Sequence, residues 1–229
     1  MHVPDGFLDA PTSIVTGVLA AAAVGIALRK ARTELDDRTA PLAGLVAAFV
    51  FAGQMINLPV GAGTSGHLLG GALAAVLVGP WTGALCVSVV LLVQALFMAD
   101  GGVTAIGTNI TLMAVVGLGA GWLVVKLVLA ALPNRLSMVA PAATVGAFVS
   151  VPVAAVAFTA LFAIGGQAPV EVGDVFAAMV GWHTLIGIME AAVTGLVVGA
   201  VIATRPDLVH GARTLVTGAD LEIRKATTA

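Results

Sequence analysis

Charge is scarce in this chain. Of its 229 residues only 10% are charged, while 59% are hydrophobic, and a soluble domain usually carries about 25% charged residues. With a mean hydropathy of +1.09, the chain cannot cover a water-facing surface, which makes it a polytopic membrane protein. Tyrosine is absent and there are three tryptophans, so the interfacial aromatic belt is thin. The single cysteine, Cys86, excludes an internal disulfide and reads as packing within an apolar run. No HExxH, no GxxxxGK[ST] and no serine-protease-like glycine motif is present, so the chain has no visible means of hydrolysing ATP or peptide bonds. No long internal repeat is evident, which removes the signature of many secondary transporters. No basic residue precedes Arg29 in the opening "MHVPDGFLDAPTS". A secretory signal would begin with one, so this N-terminus reads as retained, with a task of its own.

What is present is a series of apolar stretches. A spanning helix needs roughly 20 apolar residues. Candidate spans are Thr12–Leu28, Pro41–Leu58, His67–Val78, Trp81–Met98, Val103–Ala131, Met138–Ile164 and Val175–Thr204, about seven in all. The third is short for a full crossing and reads as a half-helix packed inside the protein, or as part of a dipping loop. Glycine and alanine are abundant, as expected of closely packed membrane helices. Placing the N-terminus outside puts Arg29, Lys30, Arg32, Arg38, Lys126, Arg135, Arg205, Arg213, Arg224 and Lys225 on one side, satisfying the positive-inside rule. Asp5, Asp9, Asp100, Glu171 and Asp174 fall on the other. The expected fold is therefore all-α, N-terminus outside and C-terminus cytoplasmic. Residues 1–204 form a single transmembrane domain, and 205–229 a short cytoplasmic tail.

Two of the four histidines, His2 and His67, fall on the outer side. The Met1 amine, the His2 amide nitrogen and the His2 imidazole Nδ1 can close two fused chelate rings around one ion. The amide must first lose its proton. Ni²⁺ and Cu²⁺ favour the resulting square-planar nitrogen field, whereas Zn²⁺ prefers a tetrahedral one. His67, in the glycine-rich "GTSGHLLGG", can supply the fourth nitrogen. From unperturbed pKa values the amine is mostly protonated at neutrality, so binding is expected to release on the order of two protons. Candidates to support or line the site are Asp5 in the turn "PDG", Gln54 and Asn57 on one helical face, Ser65 and Thr64 beside His67, and Thr108 and Asn109 early in the fifth span. Each has a plainer reading as a cap or an interhelical hydrogen bond. His183 and Glu190, seven apart on one face of the last span, are intramembrane polar candidates, with a paired structural role as the alternative. His210, in the tail, reads as solvated.

The segments "MHVPDGFLD", "FAGQMINLPVGAGTSGHLLGG", "VLVGP" and "DGGVTAIGTNI" together resemble the cobalt/nickel substrate-binding membrane subunits of energy-coupling factor transporters, the CbiM/NikM family. The resemblance runs from Met1 to about Thr204. It implies a seven-helix fold whose N-terminal segment, residues 1–11, enters the site from outside, with metal ligands at Met1, His2 and His67. It implies Co²⁺ or Ni²⁺ as cargo with no organic cofactor, a transmembrane coupling protein, a pair of cytoplasmic ATPases, and in cobalt systems a small accessory membrane protein. Since the chain ends soon after the last span, any such accessory piece is expected to be a separate chain. That leans towards the cobalt type, where uptake serves cobalamin synthesis.

The leading expectation is thus a metal-capturing subunit of an ATP-driven importer in a prokaryotic cell membrane, not an enzyme and not a nucleic-acid binder. The alternative is a stand-alone secondary metal permease. That would need a polar path through the membrane, for which His183 and Glu190 are the deep ionisable candidates. An intramembrane enzyme is a third reading, disfavoured by the missing catalytic motifs.

Overall fold

A computed structural model describes residues 1–35, 39–61 and 64–216, with the side chains of residues 61, 64 and 65 outside that description. Arg38, Arg224 and Lys225 therefore fall outside it. Helix α1 (Ala10–Lys30) starts where Asp9 caps it, its carboxylate accepting the Thr12 N–H at 2.9 Å, with Pro11 in the first turn. Both are standard helix-start chemistry. Ile14, Val18, Leu19 and Ile26 leave a broad apolar face of this helix exposed, as suits lipid contact. Helix α2 (Thr39–Gln54) follows. Then comes a two-stranded antiparallel ribbon, β1 (Leu58–Gly61) with β2 (Thr64–Gly66), in which Leu58 faces Gly66 and Pro59 faces Ser65. The ribbon amends the all-α expectation.

Helix α3 (Gly71–Val78) is buried at every residue. At 1.5 Å per residue its eight residues extend about 12 Å, against about 30 Å of hydrocarbon. It is the half-helix that its short apolar run suggested, not a crossing. Gly79, at φ +99°, turns the chain directly into α4 (Pro80–Phe97). A Cβ at Gly79 would lie 2.5 Å from the Glu34 carboxyl carbon. That carboxylate accepts the Thr82 N–H at 2.7 Å and the Trp81 N–H at 3.2 Å, so Glu34 caps α4 rather than facing solvent.

Helix α5 (Ile106–Ala131) contains a widened π-type stretch at Thr111–Gly117. Helices α6 (Val139–Gly165) and α7 (Val172–Thr204) complete the bundle and pack along one another through small residues. A Cβ at Gly187, for example, would come within 3.0 Å of the Phe148 carbonyl. Five helices are long and apolar enough to cross a membrane among the described residues: Ala10–Thr33, Pro80–Phe97, Ile106–Ala131, Leu136–Gly165 and Val172–Thr204. α2 is apolar but shorter, at 16 residues. Beyond α7 the chain stays on the core, with Val209 and Ala212 buried, so residues 205–212 are less a free tail than the composition suggested. His210 is half-buried there, its ring 5.8 Å from that of Trp122; the solvated reading does not hold.

Candidate metal-binding site

The chain start runs into the bundle: Met1–Val3, Phe7 and Leu8 are buried, while Pro4–Gly6 stay exposed. Phe7 packs its ring 5.6 Å from Phe158 and 5.1 Å from Phe162. The Asp9 N–H donates to the Gly165 carbonyl at 2.7 Å and the Gln167 N–H to the Phe7 carbonyl at 3.0 Å. Further in, Val3 is held from two sides. Its N–H donates to Asn109 Oδ1 at 2.7 Å, and its carbonyl accepts from Asn109 Nδ2 at 3.1 Å and from the Gly102 N–H at 2.9 Å. Asp5 accepts the Thr104 N–H at 2.8 Å at the mouth. These anchors drive Met1 to 0% exposure and His2 to 5%.

The DGG loop, Asp100–Gly102, is shaped to admit this segment. Gly101 sits at φ +88°, and a Cβ on it would stand 2.7 Å from His2 Nδ1 and 3.1 Å from Asn109 Nδ2. Gly102 packs against the Asp5 backbone so closely that any side chain would collide with it. Glycine is required at both positions.

His67 reaches the same place from the other side. It follows β2 and is fully buried. Its ring centroid lies 4.5 Å from that of His2, tilted by 37°. His67 Nδ1 is 2.7 Å from the Leu68 carbonyl. A carbonyl can only accept, so Nδ1 carries the proton and Nε2 presents its lone pair. Nε2 of His67 and Nε2 of His2 are both buried without a hydrogen-bond partner, and the latter lies 3.9 Å from Asp100 Oδ2. Buried polar atoms are normally satisfied, and a pair of bare imidazole nitrogens beside a buried amine is a donor set for a cation. Among the described residues no three His, Cys, Asp or Glu side chains cluster as a metal site by themselves. The donors here would come from two imidazoles and the start of the main chain.

Burial removes positive charge from this pocket. Desolvation lowers the Met1 amine to about 4, against a smaller opposing pull from Asp100. It also lowers His2, helped by the neighbouring amine, and holds His67 well below the usual histidine range. All three nitrogens are therefore neutral near pH 7 with free lone pairs. This changes the expected proton count, because the amine has no proton left to release.

The other candidates separate. Gln54, fully buried, donates from Nε2 to the Leu69 carbonyl at 2.7 Å, two residues past His67. Asn57 lies beyond the end of α2, so it does not share a helical face with Gln54; it is exposed and donates to Asp100 Oδ2 at 3.1 Å. Thr108 pairs its hydroxyl with that of Thr16 at 2.7 Å, fastening α5 to α1 and not the metal pocket. The Ser65 and Thr64 side chains lie outside the described residues.

His183 and Glu190 are both buried in α7 but not paired with each other. His183 Nδ1 donates to the Met179 carbonyl at 2.7 Å, and its Nε2 has no partner. A Cβ at Gly66 would be 3.5 Å from that Nε2, which places His183 against the strand leading into His67. Glu190 accepts the N–H groups of Leu69 and Gly70 at 2.8 and 2.7 Å. Two residues escaped the sequence reading. Asp100 looked like one more outer acid, though it sits beside His2. Gln94, whose side-chain amide is buried with both polar atoms unpartnered, was detectable as a lone amide within "VLLVQALF".

The family described as the cobalt uptake substrate-specific transmembrane region, CbiM, matches residues 2–208. The chain belongs to the CbiM family. Members of this family are metal transport proteins and not enzymes. A Haloquadratum walsbyi protein named for metal transport is 38% identical over 209 residues, covering 91% of this chain and 93% of that protein. An Archaeoglobus fulgidus protein named as a fused nickel transport protein, NikMN, is 36% identical over 210 residues, covering 92% of this chain and 68% of its own length. The solved structure of a truncated transition metal transporter superposes with a TM-score of 0.78 at 29% identity, over 89% of this chain and 99% of that one. This CbiM-family chain is thus a multi-pass membrane protein of cobalt/nickel transport.

Proposed function

We propose that this chain captures Co²⁺ or Ni²⁺ through the Met1 amine, the His2 amide and imidazole, and His67, as the substrate-binding subunit of an ATP-driven importer. The observation that carries the reading is the buried chain start. An amine and two imidazoles, neutral and lacking polar partners at His2 Nε2 and His67 Nε2, meet in a pocket that no solvated terminus would enter. Burying such groups is costly unless something binds them. Chelation with the amine and amide takes Nδ1 of His2 and leaves its Nε2 towards the Asp100 carboxylate, 3.9 Å away. A square-planar nitrogen field with a deprotonated amide suits Ni²⁺ and Cu²⁺ by geometry, and the cobalt and nickel transport names of the relatives favour Co²⁺ or Ni²⁺ as cargo.

In this reading the N-terminal segment enters the bundle from the outside and the basic loops face the cytoplasm. At that end Lys30 lies 5.6 Å over the Trp81 ring and Arg213 donates to the Glu34 carbonyl at 2.9 Å. A separate coupling protein and ATPases supply the energy, in the cell membrane of a prokaryote. The NikMN name of one relative, a fused protein, supports assembly with further transporter components.

The test is Ni²⁺ and Co²⁺ calorimetry on protein extended before Met1, beside protein tagged only at the C-terminus. The expected result is loss of high-affinity binding in the first and retention in the second. Undiminished binding by the extended protein sinks the ligand assignment. Metal uptake by the purified chain alone, in liposomes without ATP, would instead favour the secondary-permease alternative.

A further inference from the structure

Glu190 lies deep in α7, is 2% exposed, and forms no ion pair among the described residues. A carboxylate in that position has a task. Its two oxygens accept the N–H groups of Leu69 and Gly70 at 2.8 and 2.7 Å. These two amides do not belong to the first turn of α3, which begins at Gly71 with Gly70 as its cap residue. The carboxylate therefore grips the loop that carries His67 rather than simply capping the helix that follows.

Which peptide group it grips is the decisive point. The Leu69 N–H and the Leu68 carbonyl are parts of one planar unit, pointing in opposite directions. Glu190 Oε2 accepts from the N–H edge of that unit. His67 Nδ1 donates to its carbonyl edge at 2.7 Å. The next peptide is held as well, since Gln54 Nε2 donates to the Leu69 carbonyl at 2.7 Å. Gly70 makes the geometry possible: it is left-handed, φ +71°, and a Cβ on it would lie 2.7 Å from Val50 Cγ2.

We propose that Glu190 is a positioning residue of the metal site, acting through a carboxylate–peptide–imidazole relay that ends at Nε2 of His67. The proposal rests on the reading of His67 as a metal ligand. The relay has two physical effects. It fixes the peptide plane, and so fixes the ring orientation and the Nδ1–H tautomer that leaves Nε2 as the donor. It also polarises the peptide: a carboxylate on the N–H edge makes the carbonyl a stronger acceptor, and a ligand imidazole whose other N–H is strongly accepted is a better donor to a metal. A carboxylate bonded directly to the ring would do the same; here one peptide group is interposed.

The test combines Ni²⁺ calorimetry, the ligand-field absorption of the Ni²⁺-loaded protein, and imidazole ¹⁵N NMR, on wild type, Glu190→Gln, Glu190→Asp, His67→Ala and the Glu190→Gln/His67→Ala double variant. Glu190→Gln keeps the volume but turns one acceptor into a donor facing an N–H. The expected result is a loss of about 10–100-fold in Ni²⁺ affinity, the range for groups that orient a metal ligand, with a shifted ligand-field band and partial recovery in Glu190→Asp. The double variant is expected to bind no more weakly than His67→Ala alone, because the relay has nothing left to act on. Wild-type affinity and spectrum in Glu190→Gln, or losses that add in the double variant, would overturn the proposal. So would an Nε2–H tautomer for His67 in the wild-type protein, a measurement that needs no variant to fold. If an N-terminal extension leaves binding intact, the ligand reading itself fails. If that extension abolishes binding while Glu190→Gln is silent, only the relay fails.

Discussion

Asn109 and the backbone of Val3 form a two-point clamp: Oδ1 accepts the Val3 N–H at 2.7 Å and Nδ2 donates to the Val3 carbonyl at 3.1 Å. The clamp lies one residue from His2 and is buried on both sides. It pins the chain start as a strand partner would, from the fifth helix. Replacing Asn109 with Ala leaves the buried Val3 amide unsatisfied, a cost of about 1–3 kcal/mol. Asn109→Ala is therefore expected to weaken Ni²⁺ binding by about tenfold or more while the bundle remains folded. Calorimetry beside a thermal melt checks both halves; unchanged affinity would show that the segment is held in place without this clamp.

His67→Ala removes a proposed ligand, Gln54→Ala removes one grip on the loop, and Asn57→Ala alters an exposed side chain that donates to Asp100. The expected order of affinity loss is His67 first, then Gln54 at about 10–100-fold, then Asn57 with little effect. Titrations of the three variants give the ranking. A larger loss for Gln54 than for His67 would make His67 structural.

Gly101→Ala places a methyl 2.7 Å from His2 Nδ1 at a residue with φ +88°. It combines backbone strain with a direct clash. Metal affinity is expected to drop at least tenfold. Gly44→Ala, where a Cβ meets nothing within 4 Å, is the control and should bind as wild type does. If the two variants bind alike, the DGG loop does not shape the site.

Proton release tests the amide ligand. The amine, lowered to about 4 by burial, is already neutral at pH 7, as are the two imidazoles. The amide proton must still leave. Ni²⁺ binding near pH 7 should therefore release about one proton, and affinity should rise about tenfold per pH unit across the neutral range. Below about pH 5 the fall should steepen as the amine and imidazoles also take up protons in competition with the ion. Calorimetry in buffers of different ionisation enthalpy counts the protons. A release near zero rules out the amide, and a release near two shows that the amine keeps its ordinary basicity in the folded protein.

Much of this was legible in the sequence. Apolar runs and sparse charge indicate a membrane bundle because lipid tolerates no unpaired backbone and few charges; the two histidines stood out in a chain with so few polar residues. The short run before Val78 marked a helix too brief to cross, and the structure buries it whole. The roles of the polar side chains were not legible, because spacing along a helix says which residues share a face and not what faces them. Gln54 and Asn57 read as neighbours until the helix ended between them. His183 and Glu190 share a face of α7, but His183 lies against Gly66 while Glu190 accepts the Leu69 and Gly70 N–H groups. Above all, the amine's ordinary basicity is a property of the solvated terminus. Only tertiary burial, imposed on Val3 and Phe7 by Asn109, Phe158 and Phe162 at a distance in sequence, strips its water and leaves it a neutral donor.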